Sequence, residues 1–333
     1  MANKDPLKID VFAHILPLNF KKVLLESLLP NFSWKAFNNS VLSDLESRFK
    51  IMDQFDGITQ VLSLPPPPVE HIANPEKAAD LAKMANDGLA ELVLKYPERF
   101  AAAIACLPMN DMDNTLREVD RAIKDLDLKG VQIYCSTNHK PLDSPEFLPL
   151  YDKMRQYDLP IFLHPFRGPT TPDYKTESES KYLIYHIFGW PYETTAAMAR
   201  LVFSGVLERY QGLKIVCHHN GAMVPFFESR ICDQQYRPQM DKPEYAELKK
   251  APVEYFKEFY VDTVTRSVPA LMCTYHFFSA KRMLFGTDMP FGVEFGLKSI
   301  REGIDGIREM GIPDKEKAAI FAENAGKLLH LKA

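Results

Sequence analysis

The chain predicts an α/β fold, a (β/α)8 TIM barrel forming one domain over residues 1–333, and three observations carry that expectation. Strand-like and helix-like patterns alternate along the whole sequence, as a parallel sheet built from βα units requires. The strand-like patterns number eight. Finally, Ile9-Asp10-Val11-Phe12-Ala13-His14, Leu159-Pro160-Ile161-Phe162-Leu163-His164 and Arg282-Met283-Leu284-Phe285-Gly286-Thr287-Asp288 each end in an ionisable residue, and Leu213-Lys214-Ile215-Val216-Cys217 runs into His218-His219. A closed parallel barrel brings the ends of its strands together at one mouth.

The strands fall at 8–15, 58–64, 100–107, 130–135, 160–164, 214–218, 260–264 and 283–286, several almost continuously apolar, as strands covered on both faces are. The clearest helix begins at Ser43. Ser43 and Glu46 have capping-box spacing, and Leu45, Phe49, Met52 and Phe55 recur at helical intervals. Residues 75–95, 113–125, 144–156, 193–210, 224–236 and 294–310 carry the same period. Two connections, 16–40 after strand one and 165–191 after strand five, exceed simple links and are expected as walls or lids of the mouth. The proline run 65–68 is expected as a stiff extended turn at the same rim.

At 333 residues with 46% hydrophobic and 25% charged residues, the chain suits a soluble enzyme with one large core. A formal charge of -4 without a basic stripe argues against nucleic acid or an anionic membrane as partner. The five cysteines (Cys106, Cys135, Cys217, Cys232, Cys273) are odd in number and widely spaced, unlike a disulfide framework. Residues 1–6 lack the apolar core of a signal peptide, and no apolar stretch is long enough to span a bilayer. A cytoplasmic location is expected.

A single histidine in an apolar run is more often a packed residue than a ligand. Here four of the nine histidines fall at strand ends, with Asp288 after the eighth strand, and imidazole with carboxylate is the donor chemistry of a divalent metal such as zinc. The coincidence, rather than any one residue, points to a metal site. These same segments resemble the amidohydrolase superfamily, in the branch of the aminocarboxymuconate semialdehyde and γ-resorcylate decarboxylases. The opening Ile9 to Pro17 is similar to the IDxHxHxxP signature, Leu163-His164-Pro165 to the fifth-strand ligand, and Gly189-Trp190-Pro191-Tyr192-Glu193-Thr194 to the approach to the next helix. His218-His219-Asn220-Gly221, Phe285-Gly286-Thr287-Asp288-Met289-Pro290 and Asn324-Ala325-Gly326-Lys327-Leu328-Leu329 complete it, so the resemblance spans nearly the whole chain.

The resemblance implies His14, His164 and Asp288 as ligands of one divalent ion, zinc or else manganese, with His219 polarising water or substrate and Asp288 moving a proton. His218, the neighbour that does not match, is expected by strand alternation to face elsewhere as a packing residue. The chain departs from the signature at Phe12, where relatives carry histidine or glutamate, and at Ala222, where hydroxybenzoate decarboxylases carry glutamate. Arg48 matches an arginine that holds the substrate carboxylate, and Arg230 one lent by a neighbouring subunit, which implies a homodimer; for each, a solvated helix arginine is the alternative. Arg167 is a further anion contact, and Trp190 with His186 either walls the pocket or anchors the loop. The implied activity is metal-dependent, non-oxidative decarboxylation of a small unsaturated or aromatic carboxylic acid. The alternatives are hydrolysis of an amide or lactone in the same site, and a non-catalytic barrel whose metal site has degraded.

Overall fold

The continuous apolar runs do become buried parallel strands, and their hydrogen bonds close a ring. The computed structural model describes residues 6–25, 39–232 and 245–331. Its barrel strands are β1 (Lys8–His14), β2 (Ile58–Ser63), β3 (Phe100–Ala103, continued by Ala105–Cys106), β4 (Val131–Tyr134), β5 (Ile161–His164), β6 (Ile215–Cys217) and β7 (Tyr260–Val261). β1, β2 and β3 pair in parallel, and so do Ala105–Cys106, β4, β5, β6 and β7 in that order. Ile104 joins the two sheets, donating to Leu62 O at 2.8 Å, while Ala105 donates to Gly130 O at 2.9 Å.

The eighth stave, residues 283–286, pairs through isolated bridges and single hydrogen bonds instead of a regular ladder. Leu284 N donates to Val261 O (2.8 Å) on one side and Val11 N to Phe285 O (2.9 Å) on the other, which completes the barrel. The ladder stops early because a side chain takes its next donor: the Asp10 carboxylate accepts Thr287 N at 2.9 Å and Thr287 Oγ1 at 2.5 Å. Strand seven likewise ends at Val261 instead of 264, since the Asp262 carboxylate accepts the amides of His219, Asn220 and Val264.

The helices around the ring are α1 (Leu45–Met52), α2 (Pro75–Lys95), α3 (Met112–Lys124), α4 (Leu148–Tyr157), α5 (Gly189–Phe203), α6 (Val268–Phe278) and α7 (Leu297–Glu309). Asp44, rather than Ser43, caps α1 through Ser47 N (3.2 Å); Asn74 caps α2 through Lys77 N (3.0 Å), with Pro75 in the first turn. The pattern at 193–210 divides at Gly205, whose φ of +77 ends one helix before Val206–Arg209 begins. The pattern at 224–236 yields Glu228–Cys232, and its last four positions lie outside the described residues, as does 26–38 of the first long connection. α6 is apolar on nearly every side, so no helical stripe announced it.

Two packed layers result. Val11, Phe12, Val61, Ala102, Ile104, Phe162, Val216 and Leu284 fill the barrel, while Ile133, Ile161, Leu163, Ile215 and Cys217 pack outward with the helices. Residues 65–68 are all buried, which removes the proline run from the exposed rim.

Candidate functional site

The side chains at the strand ends converge where the barrel filling stops. His14 ends β1 and is fully buried; its Nδ1 faces Ser63 Oγ at 3.1 Å, and its carbonyl accepts Arg48 Nη1 at 2.8 Å. His164 ends β5, with Nδ1 donating to Pro165 O at 2.7 Å, which leaves Nε2 as its lone-pair nitrogen. His218 follows β6, with Nδ1 on the Asp262 carboxylate. Ligand atoms of His14, His164 and His218 all lie within 4.8 Å of one another. The Nε2 atoms of His14 and His218 are buried without a hydrogen-bond partner, and Asp288 Oδ1 sits 3.2 Å and 3.6 Å from them.

Three converging imidazoles, two of them with an orphaned nitrogen, beside one carboxylate fit a divalent metal ion. The charge pattern agrees. Burial would push the Asp288 carboxyl up, but His14 and His218 outweigh it and hold it well below the usual carboxylate range. Burial opposes a charge on His218 too, yet Asp262 and then Asp288 lift it to about 9. The field that favours a proton at that nitrogen also favours a cation there. His164 is held well below its ordinary value by burial and by the two neighbouring imidazoles.

His219 sits beside the donor set. Its backbone is left-handed (φ +58), its ring centroid lies 3.9 Å from that of His218 and 5.9 Å from that of Trp190, and its Nδ1 is buried without a partner. Burial, reinforced by His218, lowers its pKa to about 3, so the ring is neutral. The structure thus brings His14, His164, His219 and Asp288 to one mouth.

It differs over His218. Val216 points inward and Cys217 outward, so the same alternation that was expected to turn His218 away turns it in. The regular strand ends at Cys217, and the left-handed turn at His219 lets the next residue reach the same mouth. Asp262 was missed, although it occupies the end of the seventh strand, the position that singled out the others.

The arginines separate. Arg48 was expected on the substrate, but its side chain is wholly buried, with Nε on Gln60 Oε1 (2.8 Å) and Nη1 on the His14 carbonyl. It braces β1 beside His14, and its Nη2 is buried without a hydrogen-bond partner. Arg167 lies against Gly189, where an added Cβ would stand 2.6 Å from its Cδ, and its carbonyl accepts Trp190 Nε1 at 2.9 Å. Trp190 anchors the loop through that bond, and its ring lies 5.7 Å from that of His164 and 4.3 Å from that of His186. Arg230 lies on the exposed helix Glu228–Cys232. Phe12 is stacked on His218.

Residues 9–331 match the amidohydrolase family. The chain belongs to that family. This amidohydrolase is 31% identical over 325 residues to γ-resorcylate decarboxylase of Polaromonas sp., covering 93% of this chain and 95% of the relative. It is 29% identical to 2-amino-3-carboxymuconate-6-semialdehyde decarboxylase of Dictyostelium discoideum, over 86% and 82% of the two chains. A crystal structure of the Polaromonas sp. dihydroxybenzoic acid decarboxylase with bound manganese and the inhibitor 2-nitroresorcinol superposes with a TM-score of 0.81 at 29% identity, covering 99% of this amidohydrolase and 98% of that chain.

Proposed function

We propose that this amidohydrolase is a metal-dependent carboxy-lyase that removes carbon dioxide, without oxidation, from a small aromatic or unsaturated carboxylic acid. The observation that carries the reading is the convergence of His14, His164, His218 and Asp288 at one mouth, with His219 and Trp190 beside them. The decarboxylases among its relatives supply the reaction class.

Asp288, His14 and His164 would hold the ion, which polarises the substrate oxygens when bound. Zinc is the expected metal and manganese the second choice, the latter being present in the Polaromonas sp. structure. Asp288, ionised in the free site, takes a proton from solvent as the substrate binds and delivers it to the carbon bearing the carboxylate. The bond to the carboxyl carbon then breaks, its electron pair stays with the substrate carbon, and carbon dioxide leaves. Neutral His219 hydrogen-bonds the substrate oxygen through Nδ1 or Nε2, and the Trp190 ring excludes water from one side. Arg167 remains a candidate for the carboxylate; Arg48 serves by fixing the His14 backbone.

We also read the protein as a cytoplasmic homodimer with Arg230 reaching the partner's site. All five cysteines are free thiols, and no described helix is long and apolar enough to cross a membrane. Tyr182, Leu183, Ile187, Phe188 and Tyr192, exposed along one stretch beside the mouth, suit burial against a second copy.

The test is turnover in heavy water of a panel of hydroxylated aromatic and unsaturated acids, with lactones and amides alongside. Carbon dioxide release with one deuterium at the vacated carbon is expected, and His219→Asn and Asp288→Asn should each lower kcat by about 100-fold or more while remaining folded. Acid release from a lactone or amide, with no carbon dioxide from any acid, would establish hydrolysis instead.

A further inference from the structure

Two departures of this chain from the amidohydrolase signature, Phe12 on β1 and the doubled histidine after β6, touch each other. The Phe12 and His218 rings stack with centroids 4.0 Å apart and planes 19° from parallel, both fully buried. Phe12 is also 6.5 Å from His14 and 6.5 Å from His164, ring centre to ring centre, so its side chain stands inside the donor cluster. β1 shifts register against β2 between Asp10 and Ala13, and Asp288 N donates to Phe12 O at 2.9 Å, which keeps this segment against the eighth stave. Phenylalanine withholds a donor at that position, and its ring covers one face of the imidazole that projects one from β6.

That imidazole is fixed by more than the stack. Asp262 accepts His218 Nδ1, His219 N (3.0 Å), Asn220 N (2.8 Å) and Val264 N (3.1 Å), so its lone pairs are taken and Nδ1 must carry the hydrogen. Nε2 is then the nitrogen left to face a metal ion, buried, without a partner, and among the atoms of His14 and His164.

Resting on the reading that this cluster holds a divalent ion, we infer that His218 supplies the ligating nitrogen that Phe12 withholds. The donor count is thereby kept at four: His14, His164, His218 and Asp288. His219 is left outside the ligand set for hydrogen bonding to substrate. Phe12 is a positioning residue that holds the His218 ring in plane.

The experiment moves the donor back to the first strand and reads metal, not turnover. Wild type, His218→Phe and the exchange variant Phe12→His/His218→Phe are loaded with manganese or zinc, and affinity is measured by chelator competition and stoichiometry by elemental analysis. Wild type should bind one ion per chain, His218→Phe should bind at least about tenfold more weakly, and the exchange variant should recover most of the loss. His218→Gln, which retains an amide to donate to Asp262, guards against a folding failure and should lose affinity in the same way. Wild-type affinity in folded His218→Gln or His218→Phe overturns the assignment, as does an exchange variant no better than His218→Phe, or a wild type that takes up no ion. Binding as expected with no carbon dioxide released from any acid would sink the decarboxylase reading and leave this assignment standing; decarboxylation with metal affinity indifferent to His218 would do the reverse.

Discussion

Glu70 follows the buried proline run at 4% exposure, with Oε1 lacking any hydrogen-bond partner, and burial lifts its pKa from 4.5 to about 8. Its carboxyl is therefore protonated in the folded protein at neutral pH, while in the unfolded chain it is ionised. A group whose folded pKa is raised contributes stability that is complete below the unfolded value and is lost as pH climbs through the folded one. Stability should fall between pH 4.5 and about 8 on this account. Glu70→Gln copies the neutral form and removes the dependence, so urea denaturation should show the variant more stable than wild type at pH 8 by on the order of a few kcal/mol, and equal to it near pH 4. Equal stability at both pH values would mean that Glu70 finds a partner when it ionises. The same burial logic applies to Arg48, pushed down to about 10 by burial and held by Gln60 and the His14 carbonyl. A guanidinium so enclosed is structural first, whatever its counterpart does in a relative.

The turn after β6 is the element on which the site depends, and Asp262 organises it from the neighbouring strand. Asp262→Asn turns one acceptor into a donor facing backbone amides, leaving at least one buried N–H unsatisfied and freeing the His218 ring. We expect a loss of about 1–3 kcal/mol in urea denaturation and a roughly 10- to 100-fold weaker metal affinity by chelator titration. Unchanged values in both would remove Asp262 from the site. Gly221 limits the alternatives to this turn: at φ +73, an added Cβ would stand 2.7 Å from Phe278 Cε2 and 2.9 Å from Val261 Cγ1. What the sequence revealed at this scale depended on whether local signals or side chains from elsewhere decided the outcome. β1, β2 and β5 were legible because each is a short, largely apolar run followed by a helical pattern, and α2 was legible to the residue because Asn74 and Pro75 mark its start. Strand seven ran shorter than its pattern because Asp262 captured the amides that would have extended it, and the eighth stave kept its span with irregular pairing, its next amide, Thr287 N, being taken by Asp10. The metal-site neighbourhood was legible from strand ends alone. The parity of His218 was not, since alternation says which residues share a face and cannot say which face is inside.

For the whole molecule, the question is whether one chain makes a complete site. The ring closes within a single chain, and the donors come from β1, β5, β6 and the eighth stave, so the metal chemistry needs no partner. Substrate binding is different: Arg48, the arginine expected on the carboxylate, is fully buried with two of its nitrogens on Gln60 and the His14 carbonyl, and Arg230 lies on an exposed helix. A second copy seated on the apolar stretch at Tyr182, Leu183, Ile187, Phe188 and Tyr192 would bring a guanidinium to the mouth from outside. Subunit mixing decides this. Arg230→Ala keeps Asp288 but lends nothing, and Asp288→Asn lends Arg230 but has a dead site; each alone should be nearly inactive. In mixed dimers, the site on the Arg230→Ala subunit has its own Asp288 and the neighbour's Arg230, whereas the other site lacks both. Random equal mixing makes half the dimers mixed with one working site each, so about a quarter of wild-type activity should return. If Arg230 serves its own subunit, no site in the mixture is complete and the activity stays at the level of the two variants. Dilution gives the independent reading: the rate per chain should fall as sedimentation shows the dimer dissociating, and a monomer with the full rate would place every catalytic group within one barrel.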